Sequence, residues 1–102
     1  MIVGLLVTII ATGQNAARLE DLMSEVQLLI RQTEPDTLLF QFAKGREDGV
    51  YRTLELFSDE DAYQRHGKSP RMLEIQDEIL KFLDEPPHLV YLDLVGTGKI
   101  GD

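Results

Sequence analysis

The segment Ile2 to Ala11 constrains the fold more than any other stretch. Apart from Gly4 and Thr8 it is wholly apolar, and Ile2, Val3, Val7, Ile9 and Ile10 are β-branched. That composition, ending at Thr12-Gly13, reads as a buried strand. The run is too short to cross a bilayer as a helix, and no basic segment precedes it as in a signal peptide. Successive strand side chains point to opposite faces. Val3, Leu5, Val7 and Ile9 therefore need cover on one side, and Ile2, Leu6 and Ile10 on the other.

The rest of the chain supplies one of those covers. Leu19, Leu22, Met23, Val26, Leu29 and Ile30 recur at three- and four-residue spacing, which predicts a helix over 14–33 that stops before Pro35. Strands follow over 37–43 and 50–57, joined by the loop 44–49 as a hairpin. Ser58 with Asp61 three residues on is a capping-box pattern opening a short helix, and Gly67 is a natural stop. Ser69-Pro70 opens another helix, 70–83, with Met72, Ile75, Ile79, Phe82 and Leu83 as its apolar stripe. Pro86-Pro87 ends it ahead of a last strand, 88–95, and a tail, 96–102.

This order is one α+β domain over 1–102: a ferredoxin-like split βαβ with a four-stranded antiparallel sheet and helices on one face. Both faces of the second and last strands are apolar as well. Leu38, Phe40 and Phe42 lie opposite Leu39 and Ala43, and Val90, Leu92 and Leu94 opposite Leu89, Tyr91 and Val95. The helix-free face therefore stays apolar whichever set it takes. Each large apolar side chain left in water forgoes about 1.5–3 kcal/mol. A second copy packed sheet to sheet is the expected cover, with any reactivity expected in the chamber so enclosed. The other possibility is a monomer whose ends fold over the face.

A net charge of −8 argues against nucleic acid or an anionic membrane as partner. No cysteine is present, so disulfides, thiol nucleophiles and zinc–thiolate sites are excluded, and a reducing cytoplasmic setting fits. No second histidine lies at ligand spacing from His66, so no protein-only metal centre is expected.

His66 is the only mid-chain histidine and can serve as acid or base. The alternative is a structural histidine at a helix C-terminus. Glu55 shares a strand face with Tyr51, Thr53 and Phe57, where a buried carboxylate needs a partner or a task. Tyr51, Phe57, Phe40, Phe42 and Tyr91 are candidates to line a pocket for a flat ligand, or are simply core. Arg65, Lys68 and Arg71 form a basic cluster near the Ser69-Pro70 helix start, able to attract an anion or to be a solvated face.

Two motifs resemble a known family. Glu34-Pro35 ahead of Thr37-Leu38-Leu39-Phe40 is similar to its turn into the second strand, with Asp36 in place of the usual glycine. Glu55, Phe57, Ser58, Ala62, His66 and Ser69-Pro70 are similar in spacing to its central signature. Both belong to the antibiotic biosynthesis monooxygenase (ABM) family, dimeric α+β barrels. The resemblance implies a small-molecule pocket with His66 and Glu55 as catalytic pair and Phe57 at an aromatic position often filled by Trp. It further implies cofactor-free oxidation of a quinol or phenolic polyketide. A non-redox isomerase, or a binder of a phosphorylated or carboxylated small molecule, is the second implied reading. Haem degradation is disfavoured, since the chain has no Trp and its first strand offers Thr8 where those members carry Asn.

Overall fold

A computed structural model describes residues 1–96, 98 and 99. Its elements run β1 (Val3–Ile10), α1 (Gln14–Thr33), β2 (Thr37–Lys44), β3 (Val50–Phe57), α2 (Glu60–Arg65), α3 (Pro70–Phe82) and β4 (His88–Asp93). The sheet order is β2-β3-β1-β4, with every neighbouring pair antiparallel. This is the expected α+β ferredoxin-like fold. Residues 97 and 100–102 of the anticipated tail lie outside the described residues.

Register sorts the two faces. Val3, Leu5, Val7 and Ile9 lie opposite Phe57, Glu55, Thr53 and Tyr51 across the β1–β3 pair. These eight face the helices and are buried. Leu19, Met23, Val26 and Ile30 of α1 and Met72, Ile75 and Ile79 of α3 close over them. The helix layer stops short of β4, all six of whose residues are exposed. The opposite face carries Leu6, Leu54, Val90 and Leu92, all exposed, with Leu54 at 42%.

Local signals set the α2–α3 corner. Ser58 does not cap α2; its N–H donates to Asp36 O, extending the strand, and the Asp59 carboxylate accepts from Ala62 N at 2.8 Å instead. Ser69 accepts from Met72 N at the start of α3. Between them Gly67 has φ +70°, and a Cβ there would meet Gln76 Nε2 at 2.8 Å. That nitrogen donates to Gly67 O. Gly67→Ala is expected to cost about 1 kcal/mol, read as a lower urea midpoint at unchanged slope.

Candidate functional site

Between α2, α3, α1 and the sheet lies a cavity of about 380 Å³. It opens on the helix side of a single chain, not on the bare face where a sheet-to-sheet chamber was expected. At this corner α2 is a single short helix packed on β3, and the Gly67 turn leads into α3. Most of the wall is apolar, including Leu5, Val7, Met23, Phe40, Ile75 and Ile79. The polar lining residues are Thr53, Glu55, Tyr63, His66, Lys68 and two glutamines, and Thr53, Glu55 and His66 are in contact in turn.

His66 is the hub. It follows α2, and its backbone N–H bonds Tyr63 O, which directs the ring inward. Nδ1 stands 2.7 Å from Glu34 Oε1, and Nε2 stands 3.2 Å from Glu55 Oε1. Phe57 and Phe40 hold the ring at centroid distances of 4.9 and 5.6 Å. Glu34 is itself fixed, because Gly67 N donates to Oε2 at 3.0 Å and Thr37 Oγ1 donates to Oε1 at 2.8 Å. Glu55 is 4% exposed and accepts from Thr53 Oγ1 through Oε2 at 2.6 Å. Its Oε1 makes no hydrogen bond; at 3.2 Å from Nε2 it is near enough for charge pairing but poorly aligned for a hydrogen bond. One carboxylate oxygen at each ring nitrogen matches an imidazolium, which carries hydrogen on both.

The electrostatics agree with that form. Burial works against a charge on His66, but the contacts to Glu55 and Glu34 outweigh it and hold its pKa above the usual 6.5. For Glu34, burial favours the neutral acid, while bonds from His66, Gly67 and Thr37 prevail and hold its pKa below 4.5. A raised histidine pKa contributes stability that is complete below 6.5 and lost as pH rises through the raised value. A lowered carboxyl pKa contributes stability that is complete above 4.5 and lost as pH falls through the lowered value. The combined contribution is therefore greatest between about pH 4.5 and 6.5 and declines toward alkaline pH. Melting scans of wild type and His66→Gln across pH 5 to 9 check this: the difference between them is expected to shrink as pH rises.

The sequence candidates divide. Glu55, His66 and Phe40 line the cavity, as does Lys68. Phe57 lies behind the histidine as a fully buried support. Tyr91 stands at the β4 edge, where Tyr63 donates to its hydroxyl at 3.1 Å. Tyr51 and Phe42 are not part of the cavity wall: their rings stack on each other, and the Tyr51 hydroxyl donates to Glu20 at the far end of β3. Arg65 and Arg71 are likewise not part of it, being paired with Asp36 and with Glu25 and Glu74. Glu34 and Thr53 are site residues that sequence reasoning missed. The Glu34-Pro35 turn is visible in the sequence, but the bond from Glu34 to a histidine 32 positions away is not.

The fold and site define a small α+β domain with a helix-side pocket built on a carboxylate–histidine–carboxylate cluster. Residues 2–78 match the model of the antibiotic biosynthesis monooxygenase family, and the chain belongs to that family. Among solved structures it is similar to a Caulobacter crescentus protein described as a "putative antibiotic biosynthesis monooxygenase", at 26% identity and TM-score 0.87, over 93% of this chain and 91% of that one. It is also similar in fold to Rv0793 from Mycobacterium tuberculosis, at 16% identity and TM-score 0.85, over 97% and 100% of the two chains. A third likeness is to a mutant of SnoaB from Streptomyces nogalater, named a cofactor-independent oxygenase, at 15% identity and TM-score 0.78, over 94% and 95%. A search of curated proteins found no match. Among the described residues no helix is long and apolar enough to cross a membrane.

Proposed function

We propose that this chain is a monooxygenase of a flat, hydroxylated aromatic such as a quinol or phenolic polyketide, using dioxygen without a bound cofactor. The observation that carries this reading is a buried histidine between two carboxylates at the wall of an otherwise apolar cavity. A volume of about 380 Å³ fits a small polycyclic ligand. The name of the SnoaB neighbour adds support at the level of fold.

In this reading the His66–Glu55 pair takes the hydroxyl proton, making the ring electron-rich enough to reduce dioxygen. For a ring methylene, the carbon becomes a carbonyl with one oxygen atom, and the other leaves as water with the two hydrogens. Phe40 offers the ring against which the substrate stacks, and the apolar walls exclude bulk water. The partner is a second copy of the chain, whose matching face covers Leu6, Leu54, Val90 and Leu92.

The isomerase or anion-binder reading has less support, because Arg65 and Arg71 are engaged by acidic partners outside the cavity. Oxygen-electrode traces with quinols and hydroxyanthrones test the oxygenase reading. His66→Gln is expected to lower uptake about 10²–10⁴-fold while remaining folded. Equal uptake by the two proteins would refute the role given to the pair.

A further inference from the structure

We propose that the atom that meets the ligand is Glu55 Oε1 rather than a nitrogen of His66, and that the cavity selects a neutral O–H donor on an apolar body over an anion. Both nitrogens of His66 already face carboxylate oxygens, Glu34 Oε1 at 2.7 Å and Glu55 Oε1 at 3.2 Å. With both nitrogens carrying hydrogen, the ring has no lone pair to offer a substrate. Glu55 does have acceptor capacity to offer. Oε2 is satisfied by Thr53, whereas the buried Oε1 has no hydrogen bond. Buried polar atoms without partners are rare in folded proteins, and leaving one unsatisfied costs free energy that a ligand donor restores.

Charge narrows the ligand class further. Glu55 and His66 line the cavity and Glu34 lies outside its lining, at Nδ1; with His66 as imidazolium the three-residue cluster carries one net negative charge. Tyr63, Thr53, Gln64 and Gln76 add no charge there, and Tyr63 is kept a neutral phenol by its bond to Tyr91 and by burial, with its pKa pushed up to about 12. Apart from His66, Lys68 is the one cation among the cavity-lining residues, and it is exposed and screened by solvent. A phosphate or carboxylate entering would meet the bare oxygen of Glu55 as a like charge. A phenol or enol meets it as a donor, and the many apolar wall atoms take up its body.

Glu34 is then a positioning residue. It touches no ligand; it anchors Nδ1 and, through Gly67 N, ties the histidine to the α2–α3 turn. If the hydroxyl proton moves, the O–H bond breaks, the proton goes to Glu55 Oε1 and the electron pair stays on the ligand oxygen. The total charge of the cluster and ligand is unchanged, so the imidazolium stabilises the negative charge before and after transfer. Only this transfer rests on the oxygenase reading; the binding preference stands without it.

Anaerobic calorimetric titration with 1-naphthol, 1-methoxynaphthalene and 1-naphthoate tests the assignment on the full chain. Wild type is expected to bind 1-naphthol at least ten-fold more tightly than either of the others. Glu55→Gln is expected to lose most of that preference, and His66→Gln to keep it. Glu34→Gln is expected to keep it as well while lowering the pH at which His66 titrates in NMR spectra. Naphthoate binding as tightly as naphthol to wild type would overturn the proposal, whether or not any variant folds. A preference lost in His66→Gln but kept in Glu55→Gln would overturn it too. Absence of oxygen uptake alongside the expected binding pattern would remove the oxygenase reading alone.

Discussion

His66→Ala is expected to lower stability by about 3–5 kcal/mol near pH 6, a deficit that narrows as pH rises. The histidine lies between Glu34 and Glu55, which are both largely buried. Removing it leaves two carboxylates without their shared cation, and breaking a buried ion pair from one side costs about that much. The wild type loses the contribution of the charged histidine as pH rises through its raised pKa, so the variant gains on the wild type toward alkaline pH. A merely space-filling histidine gives another pattern: a cavity cost that is the same at pH 5 and pH 7.5. Guanidinium unfolding of both proteins at those two pH values separates the cases. The same reasoning makes His66→Gln the better variant for activity work, since the amide keeps volume and a donor at the site.

Leu6→Asp with Leu54→Asp is expected to convert a dimer into a folded monomer. Both side chains stand on the helix-free face, paired across β1 and β3 and exposed in the single chain. Covering one such leucine contributes about 1.5–3 kcal/mol. A two-fold interface uses each position twice, so the double variant removes enough to weaken association by well over about 10⁴-fold. The changed residues point away from α1 and α3, so the helical signal in circular dichroism is expected to remain. Sedimentation equilibrium at micromolar protein gives the answer. A wild type that runs as a single subunit would contradict the dimer outright.

The sequence carried the architecture because its signals were local. Alternation in Val3 to Ile9 divided β1 into two apolar faces without saying which the helices cover, and the Pro35, Pro70 and Pro86 positions marked helix ends correctly. Gly67 was readable as a stop because only a left-handed residue fits there. The α2 cap was displaced by one residue, since Ser58 and Asp59 are both good caps and a long-range bond from Ser58 N to Asp36 O decides between them. The site was legible only as far as strand faces go. Glu55 and Phe57 were placed on the right face, but so were Tyr51 and Phe42, which lie at the wrong end of the sheet for the cavity.

Charges were the least legible part. Arg65, Lys68 and Arg71 look like one basic cluster along the chain, yet Asp36 and Glu25, remote in sequence, take two of the three. Glu34 looked like one half of a turn motif, and its bonds to His66 and Gly67 depend on β2 lying beside β3. Expecting reactivity between two sheets followed from the apolar open face. Nothing in apolar periodicity shows that the helices stand off from the sheet at one corner.

The most direct test uses the chain's own three methionines. Met23 and Met72 line the helix-side cavity, whereas Met1 is exposed and remote from it. With methionine methyls labelled with carbon-13, a hydroxyaromatic added without oxygen is expected to shift Met23 and Met72 saturably and leave Met1 unmoved. Saturable binding that moves neither of the two buried methyls would contradict the placement of the substrate, and with it the work assigned to Glu34, His66 and Glu55.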